Sequence, residues 1–267
     1  MTFALEKTES DFERAMLIFS IDVDAGKKGL GSINHGKNDS NVHNHYTEDQ
    51  VGEIEQKALP LLVNLFNSVK VSVTFAIRGQ FAEIDDYFIP LLLNSTVRHD
   101  IGGHGYSHRD FQSLSRKEVE YELSMLSSSF EKFGIKPQSF VFPRNLVGHL
   151  DLLEEFGYKC YREGGNFLND GMYIEKRGRL YDVHPSLYLN ENSKVAFLKK
   201  ILDIAIKKRV PLHFWFHPWN FGENESELRR GINQILKPFL EYAKTQEEIG
   251  KLTFETMLSA ARKADCL

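Results

Sequence analysis

Cysteine is scarce. Cys160 and Cys266 are the only two in 267 residues, one in a predicted strand and one beside the C-terminus. Neither a disulfide framework nor a Cys-based metal motif is expected, and both are read as free thiols. An excess of either charge is lacking too: 33 Lys and Arg stand against 37 Asp and Glu. That near balance argues against nucleic acid as a partner and against an acidic solvating tail, leaving a small or neutral molecule as the expected partner. No stretch approaches the ~20 apolar residues of a membrane span. Met1 to Glu13 is acidic and polar, without a basic patch followed by an apolar run, so the expected location is cytoplasmic. Internal repeats and low-complexity linkers are also missing. With 42% hydrophobic residues the chain can bury a full core, and one domain over residues 1–267 is expected.

What is present is an alternation of short apolar runs and helical patterns. Strands are predicted at Ala15 to Ile21, Val71 to Ile77, Val97 to Ile101, Ser139 to Phe142, Tyr158 to Tyr161 and Val210 to Phe216. Helices are predicted after Thr47, which opens a capping box with Gln50, and over Phe81 to Asn94. A second capping box, Ser115 with Glu118, opens a helix through Lys132, and further helices cover Leu146 to Phe156, Ser193 to Arg209, Glu225 to Lys244 and Phe254 to Ala264. Pro60 is a candidate kink. Residues 162–189 form an excursion with no clear period. Residues 27–46, rich in Gly, Asn and Lys and containing His35, His43 and His45, read as a lid over a cleft. Such an alternation predicts an α/β protein with a parallel sheet and helices outside it.

The polar residues of interest cluster just after strands. Asp22 and Asp24 follow the first, and His104 and His108 the third. Arg144 and Asn145 follow the fourth, Arg162 and Glu163 the fifth, and His217 and Trp219 a late one. The carboxyl ends of parallel strands share one face, where loops build active sites. Asp22 and Asp24, two apart on a strand, point to the same side, where like charges call for a cation, a shared proton or solvent. His104 and His108, four apart in a Gly-rich segment, are expected on one side of a helical turn. Asp24, His104 and His108 then form a carboxylate and two imidazoles for a divalent cation, with water completing the shell. That donor set suits zinc and equally Co, Mn, Ni or Fe. A bound ion of this kind implies metal-assisted hydrolysis. Amide hydrolysis further needs a base, for which Asp22 is the candidate, and an acid, for which His217 is. Arg144 is expected to hold and orient Asp22. Tyr106, Asn145, Glu163 and Trp219 are expected to contact the substrate, with Tyr106, Trp215 and Trp219 offering aromatic rings suited to apolar, CH-rich faces.

The motifs Ile-Asp-Val-Asp, His-Gly-Tyr-Ser-His, Phe-Pro-Arg-Asn and Phe-Trp-Phe-His-Pro-Trp, in that order over residues 20 to 220, resemble those of the polysaccharide deacetylases. These carry the NodB homology domain and are also called carbohydrate esterase family 4. The resemblance implies a distorted (β/α) barrel, TIM-barrel-like with about seven β/α units, and the helices at 225–264 packed on it. It also implies a metal-dependent hydrolase that removes N-acetyl groups from amino sugars. Carried over by position, Asp22 matches the base, Asp24, His104 and His108 the ligands, and His217 the acid. The chain departs from the common pattern in Val23 between the aspartates, in Pro-Arg-Asn in place of Arg-x-Pro-Tyr, and in lacking Asp-x-x-Asp-Trp after the fifth strand. Glu163 and Asp182 are therefore the candidates for tuning His217. The expected function is N-deacetylation of a poly- or oligosaccharide or of a surface-glycan precursor. The alternatives are an amidohydrolase acting on a small amide or ureido substrate, and a non-catalytic glycan-binding homologue.

Overall fold

The computed structural model describes residues 12–25, 48–165, 168 and 170–266. The strands are β1 (Ala15–Val23), β2 (Thr74–Ile77), β3 (Asp100–Gly103), β4 (Ser139–Val141), β5 (Cys160–Arg162), β6 (Ile174–Arg177), β7 (Leu180–Val183), β8 (Leu187–Tyr188), β9 (Pro211–Phe216) and β10 (Leu252–Glu255). The helices are α1 (Glu48–Ser68), α2 (Gly79–Ile84), α3 (Phe88–Leu93), α4 (Arg116–Glu131), α5 (Leu150–Glu155), α6 (Val195–Lys208), α7 (Glu225–Gly231), α8 (Lys237–Glu248) and α9 (Met257–Asp265).

β1 is buried along its whole length, as expected of an apolar run covered on both faces of a parallel sheet. It pairs with β9 on one side, and on the other with β10 at its start and β2 at its end. The sheet runs β6-β7-β5-β4-β3-β2-β1-β9-β8, with only the β6/β7 pair antiparallel. In a flat sheet β5 and β1, four positions apart, would lie ~19 Å from one another at ~4.8 Å per strand. Arg162 at the end of β5 nevertheless reaches Asp22 on β1 at 2.8 Å. The sheet must curl, and His213 of β9 closes the circuit by donating to the Val183 carbonyl of β7 at 2.9 Å. The product is the expected distorted barrel.

Two cores follow from the strand alternation. Met16, Ile18, Val141, Cys160 and Val183 fill the interior, where α9 adds Met257, Ala260 and Ala261. Phe19, Phe75, Phe140 and Phe214 point outward into the layer beneath the helices. The Ser115/Glu118 capping box is present. Four expected elements differ. The helix over Phe81 to Asn94 splits into α2 and α3, because the Asp85 carboxylate caps the second piece through Phe88 N at 2.9 Å and Ile89 N at 2.7 Å. The helix from Leu146 shortens to α5 because His149 is left-handed (φ 55°). The helix from Glu225 carries a π turn at Ile232–Leu236 just ahead of Pro238, where the missing amide of proline breaks the regular ladder. The helix from Phe254 starts only at Met257, because Leu252–Glu255 pairs with β1. The excursion at 162–189 contains β6, β7 and β8. Thr47 and the lid expected at residues 27–46 lie outside the described residues. No described helix is long and apolar enough to cross a membrane.

Candidate active site

Asp24 stands one residue past β1, where two carboxylate and guanidinium clamps fix its backbone. Its amide and that of Ala25 donate to the two oxygens of Glu55 at 2.9 and 3.1 Å. Its carbonyl accepts from Arg78 Nη1 at 3.0 Å. The side chain is thereby turned toward His104 and His108, whose Nε2 atoms lie 3.0 Å from Oδ1 and 3.7 Å from Oδ2. Among the described residues neither carboxylate oxygen, both buried, has a partner in hydrogen-bond geometry. His104 Nδ1 faces the Val141 carbonyl at 2.8 Å. A carbonyl only accepts, so Nδ1 carries a proton and Nε2 is the atom that faces Asp24. Two electron-rich atoms at that separation need a proton or a metal cation between them, and these donors, all within 4.8 Å of one another, fit a divalent ion. The charges agree. Burial opposes ionisation of Asp24, yet His108 and the neighbouring imidazoles outweigh it and hold the carboxyl well below the usual range. Burial also depresses His104, and Asp24 more than reverses that. Glu55 is pushed well up by burial and then by the charge of Asp24.

The two histidines are not on a helical turn. They flank a tight loop in which Gly105 and His108 are both left-handed (φ 66° and 61°), a costly conformation for a non-glycine residue. Glu122, buried on α4, holds the loop by accepting from the amides of Tyr106 at 2.9 Å and Ser107 at 2.8 Å and from the Ser107 hydroxyl. The rings end 5.0 Å apart, edge to face.

Asp22 is held by a different arginine from the one expected. Arg162, wholly buried, donates through Nη1 to Asp22 Oδ1 at 2.8 Å and through Nη2 to Oδ2 at 2.5 Å, a bidentate pair. It also donates to Ser20 Oγ at 2.8 Å and Asn145 Oδ1 at 3.1 Å, and lies over the Trp215 ring at 4.5 Å. Arg144 makes no ion pair among the described residues. It sits in a 3₁₀ turn, left-handed at φ 58°, with its Nε buried and, among the described residues, lacking a partner. Behind Arg162, Ser20 Oγ bonds His213 Nε2 at 2.8 Å. Burial, and then the charge of Arg162, push that imidazole down to about 3.

His217 closes the site. Its Nε2 is 3.6 Å from Asp24 Oδ2 and 3.9 Å from Asp22 Oδ2. Its Nδ1 is 3.2 Å from Asn220 Oδ1, which also takes the His217 amide at 2.6 Å. Since Oδ1 accepts, Nδ1 donates and Nε2 faces the carboxylates. Asn220 therefore takes the place for which Glu163 and Asp182 were the candidates.

The remaining expected residues divide. Asn145 joins the site through Arg162. Trp219 is buried, with one face against His217 (4.5 Å, 16° between planes). Tyr106 is also buried, packed in the outer core instead of facing the site. Glu163 follows Arg162 by one residue and so points to the opposite face of β5, toward Arg177 and His184. Sequence reasoning missed Glu55, Glu122, His213 and the role of Arg162. Glu55 and Glu122 carried a readable signal, a carboxylate on the apolar stripe of an amphipathic helix. Arg162 carried another, a cation at the end of a short buried strand.

Residues 41–160 match the family model described as polysaccharide deacetylase, a span that holds the His104/His108 motif. No curated protein sequence matches the chain. Among solved structures, one described as a polysaccharide deacetylase from Mycobacterium smegmatis aligns with TM-score 0.71 at 17% identity, over 96% of this chain and 93% of the other. A structure described as a polysaccharide deacetylase from Pseudomonas aeruginosa aligns with TM-score 0.66 at 16% identity, over 93% and 90%. The Puue allantoinase aligns with TM-score 0.67 at 16% identity, over 93% and 89%. At such identities these neighbours speak to the fold. The family match covers the stretch from residue 41 to 160, and the fold is the one these deacetylase structures share.

Proposed function

We propose that this protein is a metal-dependent carbohydrate N-deacetylase that hydrolyses the acetamide of an amino sugar in a poly- or oligosaccharide or glycan precursor. The observation that carries the reading is the buried Asp24 carboxylate, facing two imidazole Nε2 atoms and, among the described residues, with both of its oxygens outside hydrogen-bond geometry. Asp24, His104 and His108 would hold the ion, with zinc the first choice for this donor set. When bound, such an ion polarises a carbonyl and acidifies water. The chain's own residues do the rest. Asp22 takes the proton of the attacking water, its carboxylate plane fixed by the two-pronged contact with Arg162. His217, acting as the imidazolium with both ring nitrogens protonated, delivers its Nε2 proton to the departing nitrogen as the C–N bond breaks and keeps the Nδ1 proton on Asn220. Its ring plane is set by Trp219.

The test is release of acetate from a panel of N-acetylated sugars, run beside small ureido substrates because an allantoinase shares the fold. Acetate release that His217→Ala abolishes is expected. Turnover of the ureido compounds alone would move the chain to the amidohydrolase reading. Sugar binding without turnover of any substrate would make it a non-catalytic homologue.

A further inference from the structure

A second group of metal-type donors lies on the other face of the sheet. Strand alternation turns Arg162 inward to Asp22 and turns Tyr161 and Glu163 outward. β7 lies parallel to β5 with Asp182 opposite Tyr161, so Asp182 and His184, two apart, emerge on the same outer face beside Glu163. His184 Nδ1 is 3.6 Å from Asp182 Oδ2 and 3.9 Å from Glu163 Oε1. Ligands ~2.1 Å from a shared tetrahedral ion stand ~3.4 Å apart, so small shifts close the set.

The cluster lacks what a folded protein normally supplies. His184 and Asp182 are buried, and among the described residues both nitrogens of the one and both carboxylate oxygens of the other lack hydrogen-bond partners. Buried polar atoms of this kind are rare without a ligand or ion. Arg177 pairs with the cluster, and three carboxylates share its one guanidinium: Glu175 at 3.1 Å, Glu163 at 3.4 Å and Asp182 at 3.5 Å. Asp170 adds a fourth carboxylate, 3.8 Å from His184 Nε2. Space is reserved for the imidazole as well. Tyr173 stacks on it at 4.3 Å, and a Cβ at Gly165 would fall 2.5 Å from its ring.

We propose that Glu163, Asp182 and His184 bind a second divalent transition-metal ion, with zinc, manganese or cobalt suited to one imidazole and two carboxylates. This site is independent of the deacetylase reading. It ties β5 to β7 beside the backbone that carries Arg162, a structural role outside the barrel.

The experiment is metal content per chain after zinc saturation and desalting, with folding checked by circular dichroism. Wild type is expected to keep two ions and an Asp24→Ala/His104→Ala variant one. Adding His184→Gln to that variant is expected to leave none, and adding Glu163→Gln to weaken the remaining zinc affinity. If His184→Gln fails to fold, the part-exposed Glu163→Gln serves as the deciding variant. The proposal is overturned if the Asp24→Ala/His104→Ala protein, still folded, keeps no zinc, or keeps an ion that neither substitution affects. A wild type with a single ion that survives Asp24→Ala/His104→Ala would sink the catalytic site's metal and leave this one standing.

Discussion

Replacing Arg162 by Met tests the electrostatic centre of the barrel. Arg162 and Asp22 are buried and joined by two hydrogen bonds, and the same guanidinium serves Ser20 and Asn145. Removing one partner of such a pair leaves an uncompensated charge out of water and costs ~3–5 kcal/mol. In a domain of this size each kcal/mol lowers the midpoint by ~2–4 °C, which gives a fall of about 6–20 °C. Thermal unfolding in chelator, which removes any contribution from metal, reads the effect directly. The double variant Arg162→Met/Asp22→Asn should recover part of the loss, because no carboxylate is then left alone. Arg144→Met should stay within ~1 kcal/mol, since it breaks no ion pair. An Arg162 cost below ~1 kcal/mol, or an Arg144 cost equal to it, would refute the reasoning.

Other consequences follow from the residues around the site. Glu122→Gln should loosen the His104–His108 loop and weaken zinc binding by ~10–100-fold, as outer-shell partners do. Calorimetry that finds wild-type affinity would remove Glu122 from that role. His213 is held neutral, with its folded value at about 3 below an unfolded one of ~6.5. Below that unfolded value the unfolded chain binds a proton that the folded chain refuses. Stability therefore falls as pH drops from 6.5 toward 3, by up to ~1.4 kcal/mol per pH unit. Denaturant titrations over this range should show a flatter slope for His213→Gln, and an unchanged slope contradicts the assignment.

Much of the site was legible because its ligands are few in type and sit at strand ends. Asp24, His104, His108, Asp22 and His217 all follow apolar runs, and parallel strands bring their ends together. The guanidinium on Asp22 was not legible in the same way. Arg144 and Arg162 both follow strands, and which one crosses the barrel depends on how far the sheet curls, a property of the whole sheet and not of any motif. The conformation of the histidine loop was hidden for a related reason. Four-residue spacing fits a helical turn, but Gly105 and the Glu122 clamp favour left-handed backbone at Gly105 and His108. Phe254 and Glu255 read as the start of the last helix because Phe254 satisfies either period, and only pairing with β1 decides it.

The central claim is a metal held by Asp24, His104 and His108 beside a separate proton acceptor at Asp22. Acetate release measured before and after metal stripping and zinc re-addition, for wild type, Asp24→Ala and Asp22→Asn in parallel, tests it most directly. The account predicts that stripping abolishes activity and zinc restores it in wild type. It predicts that Asp24→Ala is inactive with or without zinc, and that Asp22→Asn keeps zinc at this site while losing turnover. Full activity in the stripped enzyme, or wild-type turnover in Asp22→Asn, would contradict it.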